Sequence, residues 1–165
     1  MASILNVDKI RRQAGSTDAL VIDSGDRVTT PTRPAFRARK TSTQTASGSN
    51  ELVTWDTVFF NTGSHFASNV FTAPVAGLYQ FSIIALSPSN SSIEDFHFGY
   101  TPSGGSFTSV AKFRNSSSSG HETTSGTVIY QMGVGDIFGV YLVSASDAIY
   151  GDSDVWTTWN GHLVG

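Results

Sequence analysis

The sequence predicts an all-β protein whose short strands pair antiparallel in a sandwich or barrel, and three observations carry that prediction. In Phe71-Thr72-Ala73-Pro74-Val75-Ala76-Gly77-Leu78-Tyr79-Gln80-Phe81-Ser82 a strand end meets a Pro/Gly corner and then a new strand. Pro74 cannot donate to a ladder and Gly77 lets the backbone bend, so two extended segments meet there rather than run through. From that corner Tyr79, Phe81, Ile83 and Ala85 alternate with Leu78, Gln80, Ser82 and Ile84, the two-residue period of a strand with one large aromatic face turned to a core. Short apolar runs then recur between polar stretches such as Ser87-Pro88-Ser89-Asn90-Ser91-Ser92, Pro102-Ser103-Gly104-Gly105 and Asn115-Ser116-Ser117-Ser118-Ser119-Gly120, which bury no apolar area and belong at the surface.

In chain order, residues 1–34 come first and differ from the rest. They hold Lys9, Arg11, Arg12, Arg27 and Arg33 but no aromatic residue, so they contribute little to a core of their own and must lean on another body. We read them as a short extended N-terminal attachment segment, with Ile4, Leu5, Val7 and Ile10 as the anchoring residues. Ser3-Ile4-Leu5-Asn6-Val7-Asp8-Lys9-Ile10 is expected to be extended, although Ile4, Val7 and Ile10 also fit helical spacing. Residues 19–28 read as a strand, a Ser24-Gly25 turn and a second strand from Arg27. Pro31 and Pro34 mark a boundary, since both interrupt ladders and disfavour helix. Residues 35–165 form the main domain, with strands expected at 35–38, 52–60, 65–71, 77–86, 96–101, 106–113, 123–132, 136–143, 148–150 and 158–164.

A chain of 165 residues suits one principal domain, and at this length folding buries roughly 70% of the unfolded surface. There is no cysteine, which excludes a disulfide framework. Charged residues make up only 14% and aromatic residues 12%, the makeup of a rigid extracellular or particle-bound β protein. The net charge of −3 removes the general basic surface that broad nucleic-acid binding requires. No segment approaches the roughly 20 apolar residues of a membrane span, and the N-terminus lacks an apolar export run, so a soluble protein with no membrane insertion is expected.

Catalytic chemistry finds little support. His65, His97, His121 and His162 fall in separate elements, none with metal-ligand spacing, and no Gly-x-Ser-x-Gly motif is present. Asp147, Asp152 and Asp154 flank the Tyr150-Gly151 turn, where they read either as oxygen ligands for Ca²⁺ or as solvated turn acids. Arg33, Arg37, Arg39 and Lys40 cluster at the boundary, as a contact for an acidic partner or as a solvated neck. Asn90-Ser91-Ser92 and Asn115-Ser116-Ser117 match glycosylation acceptors, which stay unmodified in a protein made inside a bacterium.

The order and spacing of Trp55, Asn61, Phe66, Phe71, Gly77, Tyr79 and Phe81 resemble the central pattern of the globular head of complement component C-one-q and its relatives of the tumour-necrosis-factor fold. Gly135-Asp136 and Trp159-Asn160-Gly161-His162-Leu163-Val164 are similar to that family's closing strands. The resemblance runs from about Arg33 to the C-terminus and implies a jelly-roll antiparallel β-sandwich, a homotrimer and no enzymatic activity. With 11 Phe, 5 Tyr and 3 Trp, one small sandwich has difficulty burying every ring. Tyr79, Phe81, Phe138, Tyr141 and Trp159 are therefore expected in the core or facing neighbouring subunits about a three-fold axis. Calcium sites near the apex of some relatives bear on Asp147, Asp152 and Asp154, and no other cofactor is implied.

The segment Ser3 to Ile10 resembles the leader on structural proteins of tailed phages that infect aquatic bacteria. Together these features imply a virion surface protein, assembled in the host cytoplasm, that decorates the head or tips a fibre. Its partners would be further copies of itself, a capsid or tail protein, and a host-surface glycan or protein. A bacterial soluble carbohydrate- or protein-binding module is the alternative of a different class.

Overall fold

A computed structural model describes residues 7–11, 15, 18–89, 93–116 and 120–165. The chain forms two compact units, Met1–Arg33 and Pro34–Gly165. In the first, β1 (Lys9–Ile10), β2 (Leu20–Ile22) and β3 (Val28–Thr29) make an antiparallel sheet in chain order. Asp23 closes the turn between β2 and β3, its Oδ1 accepting from the backbone N–H groups of Gly25 at 2.8 Å and Arg27 at 3.1 Å. The Arg27 side chain, together with those backbone donors, holds the Asp23 carboxyl below the usual carboxylate range. The left-handed position in this turn is Asp26, with φ of 59°, rather than Gly25.

The second unit contains β4 (Ala35–Arg39), β5 (Gln44–Thr45), β6 (Glu51–Leu52), β7 (Thr57–Thr62), β8 (Phe66–Ala67), β9 (Val70–Thr72), β10 (Gly77–Leu86), β11 (Ile93–Thr101), β12 (Thr108–Ser116), β13 (Thr123–Met132), β14 (Ile137–Leu142), β15 (Ala148–Ile149) and β16 (Thr158–Leu163). One sheet runs β13-β10-β16-β4-β7 and the facing sheet β12-β11-β14-β9-β8, with β6 also paired to β14 and β5 paired to β15. The chain changes sheets from β10 to β11, from β12 to β13 and again from β13 to β14, so most strands that pair are not consecutive in sequence. This is the antiparallel jelly roll.

Two expected strands divide, each for a physical reason. The 52–60 run crosses between sheets: β6 pairs with β14, β7 pairs with β4, and the link is held by Val53 N–H to the Val140 carbonyl at 2.9 Å and Asp56 N–H to the Arg39 carbonyl at 3.0 Å. The 65–71 run folds into the β8–β9 hairpin, because Ser68 and Asn69 both take left-handed φ values of 50° and 67°. The polar pair that forms β5 lacks the alternation by which a strand is recognised.

Aromatic rings from both sheets fill the space between them. Phe36, Tyr79, Phe81 and Trp159 from the first sheet meet Phe66, Phe71, Phe96, Phe98 and Phe138 from the second, all buried. Phe81 stacks on Phe138 with centroids 4.1 Å apart, and Phe36 stacks on Phe66 at 4.7 Å.

Several motif residues act on the backbone. Asn61 Nδ2 donates to the Phe66 carbonyl at 2.7 Å while its Oδ1 accepts from Phe66 N–H at 3.0 Å, closing the β7–β8 turn. The Tyr79 hydroxyl donates to the Val75 carbonyl at 2.8 Å, which pins the Pro74 corner and satisfies a buried phenol. Asp136 accepts from Ser103 N–H, Gly133 N–H and the Tyr100 hydroxyl. Burial pushes its carboxyl up, but these bonds outweigh burial and leave it below the usual range. The same bond is the main reason the Tyr100 phenol is pushed up to about 12.

Candidate functional site

The two faces of β10 have opposite fates. Tyr79, Phe81, Ile83 and Ala85 point into the sandwich and are buried, whereas Leu78 and Ile84 on the outer face are 43% and 48% exposed. Register places Ile84 beside Thr158 of β16 and Ser125 of β13, and Gln80 between His162 and Ile129. Ile129 is 56% exposed, and Phe60 of β7, opposite Arg37, is 49% exposed. Ser82 and Thr127 share a hydroxyl hydrogen bond of 2.9 Å near the middle of this face. Phe60, Ile84, Arg37, Asn160 and His162 surround an open hollow of about 450 Å³ on it.

This arrangement separates the two places expected for the aromatic residues. Tyr79, Phe81, Phe138 and Trp159 take the first of them, wholly buried in the core of the sandwich. A two-layer sandwich has room for them because β8 and β9 contribute Phe66 and Phe71 to the same stack. Tyr141 is half-buried on the outer face of the other sheet, edge-on to His97 and Phe107. That second outer face is charged, with Arg114 bound through two nitrogens to Asp95 at 2.7 Å. Among the described residues, the large apolar side chains that remain in water on the strands of the first sheet are those of Leu78, Ile84, Ile129, Val58 and the β7 phenylalanines.

The boundary cations separate in the same way. Arg37 and Arg39 lie over the Phe59 ring, 5.1 and 5.7 Å from its centroid. Lys40 is no part of a solvated neck, for it is buried and donates to the Thr54 carbonyl at 2.9 Å and hydroxyl at 3.0 Å. Burial pushes its ammonium pKa down, partly offset by Asp56.

The acidic residues do not converge on a common centre. Asp147 accepts from Ser144 N–H at 2.6 Å within its own turn, while Asp152 accepts from the Tyr150 hydroxyl at 2.9 Å and Asp154 N–H at 2.7 Å. Among the described residues no group of three or more His, Asp or Glu side chains is placed to hold a metal ion. Their closeness in sequence is divided between two turns.

His97 Nδ1 lies 3.1 Å from the exposed Ser109 hydroxyl, a histidine–serine contact that invites a catalytic reading. Burial and the nearby Lys112 push the His97 imidazole down to about 4. Its Nε2 is buried without a partner, so no acid orients the ring. Such a group is a poor general base near neutral pH. Asn115 is buried, its amide donating to Ser87 Oγ and the Glu122 carbonyl, so this acceptor is closed to glycosylation. Asn90 lies outside the described residues, as do Ile4 and Leu5. Val7 and Ile10 are exposed, and with Leu20, Ile22 and Val28 they line a hollow of about 110 Å³ in the N-terminal unit.

Two antiparallel sheets with crossed-over connections, a pinned Pro/Gly corner and an apolar outer face define a head domain of the jelly-roll class. The C1q domain model matches residues 35–164, and the chain belongs to that family. Among solved structures, the globular domain of the zebrafish complement 1qA protein is similar with a TM-score of 0.64 at 20% identity, over 80% of this chain and 98% of that one. Murine APRIL at pH 8.5 aligns with a TM-score of 0.63 and 13% identity over 80% and 99%. The Eiger TNF structure from S. frugiperda gives 0.63 and 9% over 81% and 93%. At these identities the likeness is one of fold. No curated protein sequence matches the chain.

Proposed function

We propose that the protein is a non-enzymatic homotrimeric knob whose subunits meet through the outer face of the β13-β10-β16-β4-β7 sheet. The exposure of Leu78, Ile84, Ile129 and Phe60 on one face carries this reading. An apolar sheet face in water is stabilised by burial against a partner, and the hydroxyl and amide groups of Ser82, Thr127 and Asn160 among them supply the polar bonds an interface also uses. The number three comes from the trimeric habit that the complement-head resemblance implies, and a three-fold ring closes a head-to-tail contact without leaving a free patch.

The exposed apolar residues of the N-terminal unit, Val7, Ile10, Ile22 and Val28, favour attachment of that unit to another body. Taken with the phage-leader resemblance of Ser3 to Ile10, they support a place on the surface of a tailed-phage particle, as a head decoration, a spike or a fibre tip. Sedimentation equilibrium of the full chain is expected to give a trimer, and the double variant Ile84→Asp, Ile129→Asp a folded monomer. A monomeric parent protein overturns the association. Mass spectrometry of purified particles should detect the chain, and removal of residues 1–34 should release the knob; a truncated knob that stays attached refutes the anchor.

A further inference from the structure

A groove opens at the end of the knob domain remote from Pro34. There β10 stops at Leu86, β13 begins at Thr123, and the 150–157 segment leads from β15 into β16. Ala35, next to Pro34, pairs with His162, and Leu86 lies six strand residues further along the sheet, or ~20 Å at about 3.4 Å each. Leu86, His121, Thr123, Tyr150, Asp152 and Trp156 line the groove, which has a volume of about 340 Å³. That is enough for a small ligand, at the lower end of the roughly 300–1,000 Å³ range of such sites.

The groove is built on a fixed frame. Tyr150 N–H donates to the Leu86 carbonyl at 2.8 Å, and Thr157 Oγ1 donates to the Tyr150 carbonyl at 2.7 Å while accepting from Leu86 N–H at 3.1 Å. Both ends of the Trp156-bearing segment are thereby tied to β10. The His121 ring packs 4.3 Å from the Tyr150 ring, and its Nδ1 lies 2.7 Å from the Ser87 carbonyl. A carbonyl only accepts, so Nδ1 carries a proton and Nε2 is the ring position open to a ligand hydroxyl. The Tyr150 hydroxyl donates its hydrogen bond to Asp152 Oδ2, and Asp152 Oδ1 accepts from Asp154 N–H. Each of these oxygens keeps acceptor capacity. Trp156 stands 52% exposed, while Trp55 and Trp159 are buried.

We propose that this groove binds a neutral oligosaccharide, with Trp156 and Tyr150 taking the C–H face of a pyranose ring and Asp152, the Tyr150 oxygen and His121 Nε2 accepting its hydroxyl protons. The lining selects that class. It joins aromatic faces to hydrogen-bond acceptors, and a pyranose joins an apolar face to a rim of hydroxyl donors. A peptide backbone brings one N–H per residue and fits an acceptor-rich groove less well. The charge in the lining is the Asp152 carboxylate, which repels sialylated or phosphorylated sugars. The inference deepens the knob reading and rests on it for avidity, since three copies of a weak site act together.

The full chain is tested on a printed array of neutral and sialylated oligosaccharides, and the strongest neutral trisaccharide is then titrated by tryptophan emission, to which the exposed Trp156 responds. Neutral glycans are expected to bind, Trp156→Ala to weaken binding about tenfold or more, and Asp152→Asn several-fold with unchanged melting. Should Trp156→Ala fail to fold, Asp152→Asn decides. Retention of no neutral glycan, preference for sialylated ones, capture of unglycosylated protein alone, or affinity unchanged in the variants overturns the site. Sedimentation of the same samples separates the two readings. A monomer that binds glycan through Trp156 refutes the trimer and keeps the groove; a trimer that binds none refutes the groove alone.

Discussion

Gly161 lies on β16 against the densest part of the ring stack, and its substitution gives a stability change that can be worked from the structure. A Cβ at this position would stand 2.5 and 2.7 Å from two carbons of the Phe81 ring and 2.8 Å from the Phe36 ring. Neither ring can retreat. Phe81 is stacked on Phe138 at 4.1 Å with an interplanar angle of 5°, and Phe36 on Phe66 at 4.7 Å with an angle of 2°. Relief requires displacing two stacked pairs or bending β16, and overpacking of this kind costs ~1–3 kcal/mol or somewhat more. For a chain of this size each kcal/mol lowers Tm by about 3 °C, so Gly161→Ala should melt ~3–9 °C below the parent protein. Gly48→Ala is the matched control, since nothing lies within 4 Å of its added Cβ. Differential scanning calorimetry of the two variants at equal concentration is the assay. If Gly161→Ala melts within about 2 °C of Gly48→Ala, the stack is looser than these distances state and the packing argument fails.

Three further outcomes are expected. His97 folds neutral because burial and Lys112 push its imidazole down from 6.5 to about 4; the unfolded chain then binds more protons between those values, so stability is lost as pH falls through that window, by ~3 kcal/mol at pH 4. His97→Gln should flatten that part of a urea-denaturation profile, and an unchanged slope counts against the assignment. Lys40→Ala strands the Thr54 acceptors and opens a cavity, at a cost of ~2–4 kcal/mol, whereas Lys40→Met should recover more than half of the loss in the same denaturation experiment. Tyr79→Phe removes the bond that pins the Val75 carbonyl and should destabilise by ~1–2 kcal/mol, read as a lower urea midpoint at unchanged slope.

Sequence patterning reached furthest where a strand is long and alternates cleanly. The ends of β10 and β13 fall at the residues expected, Gly77–Leu86 and Thr123–Met132, because in each strand one face is more buried than the other and turn residues break the alternation. Gly77 was legible as a special position but for another reason. An added Cβ there would meet the Gly165 carbonyl oxygen at 2.9 Å, so close approach of the C-terminal backbone, rather than an unusual φ, demands glycine. The division of 52–60 was hidden, since a change of sheet depends on partners far away in sequence. The exposed apolar face was hidden by the aromatic residues themselves. Rings drew attention to the buried side, while Leu78 and Ile84, apolar exceptions on the polar side of β10, were the available clue. The groove combines loops from residues 121 and 150–156, and only the Val155-Trp156 pair in an otherwise polar turn pointed to it.

The geometry of β10 also dictates which properties can vary separately. Its odd-numbered residues from Tyr79 to Ala85 hold the core, its even-numbered residues from Leu78 to Ile84 form the outer face, and its far end at Leu86 supports the groove. Gly161→Ala should therefore lower Tm at every protein concentration. In the proposed trimer Ile84→Asp removes a contact between copies rather than within one, so by mass action it should abolish the rise of Tm with concentration that an associating protein shows. Trp156→Ala touches neither the core nor that face and should leave both melting behaviours as they are. A Tm that rises with concentration in the parent protein and still rises in Ile84→Asp would show that association runs through some other surface. The exposed apolar residues of the β10 sheet would then be left without a role.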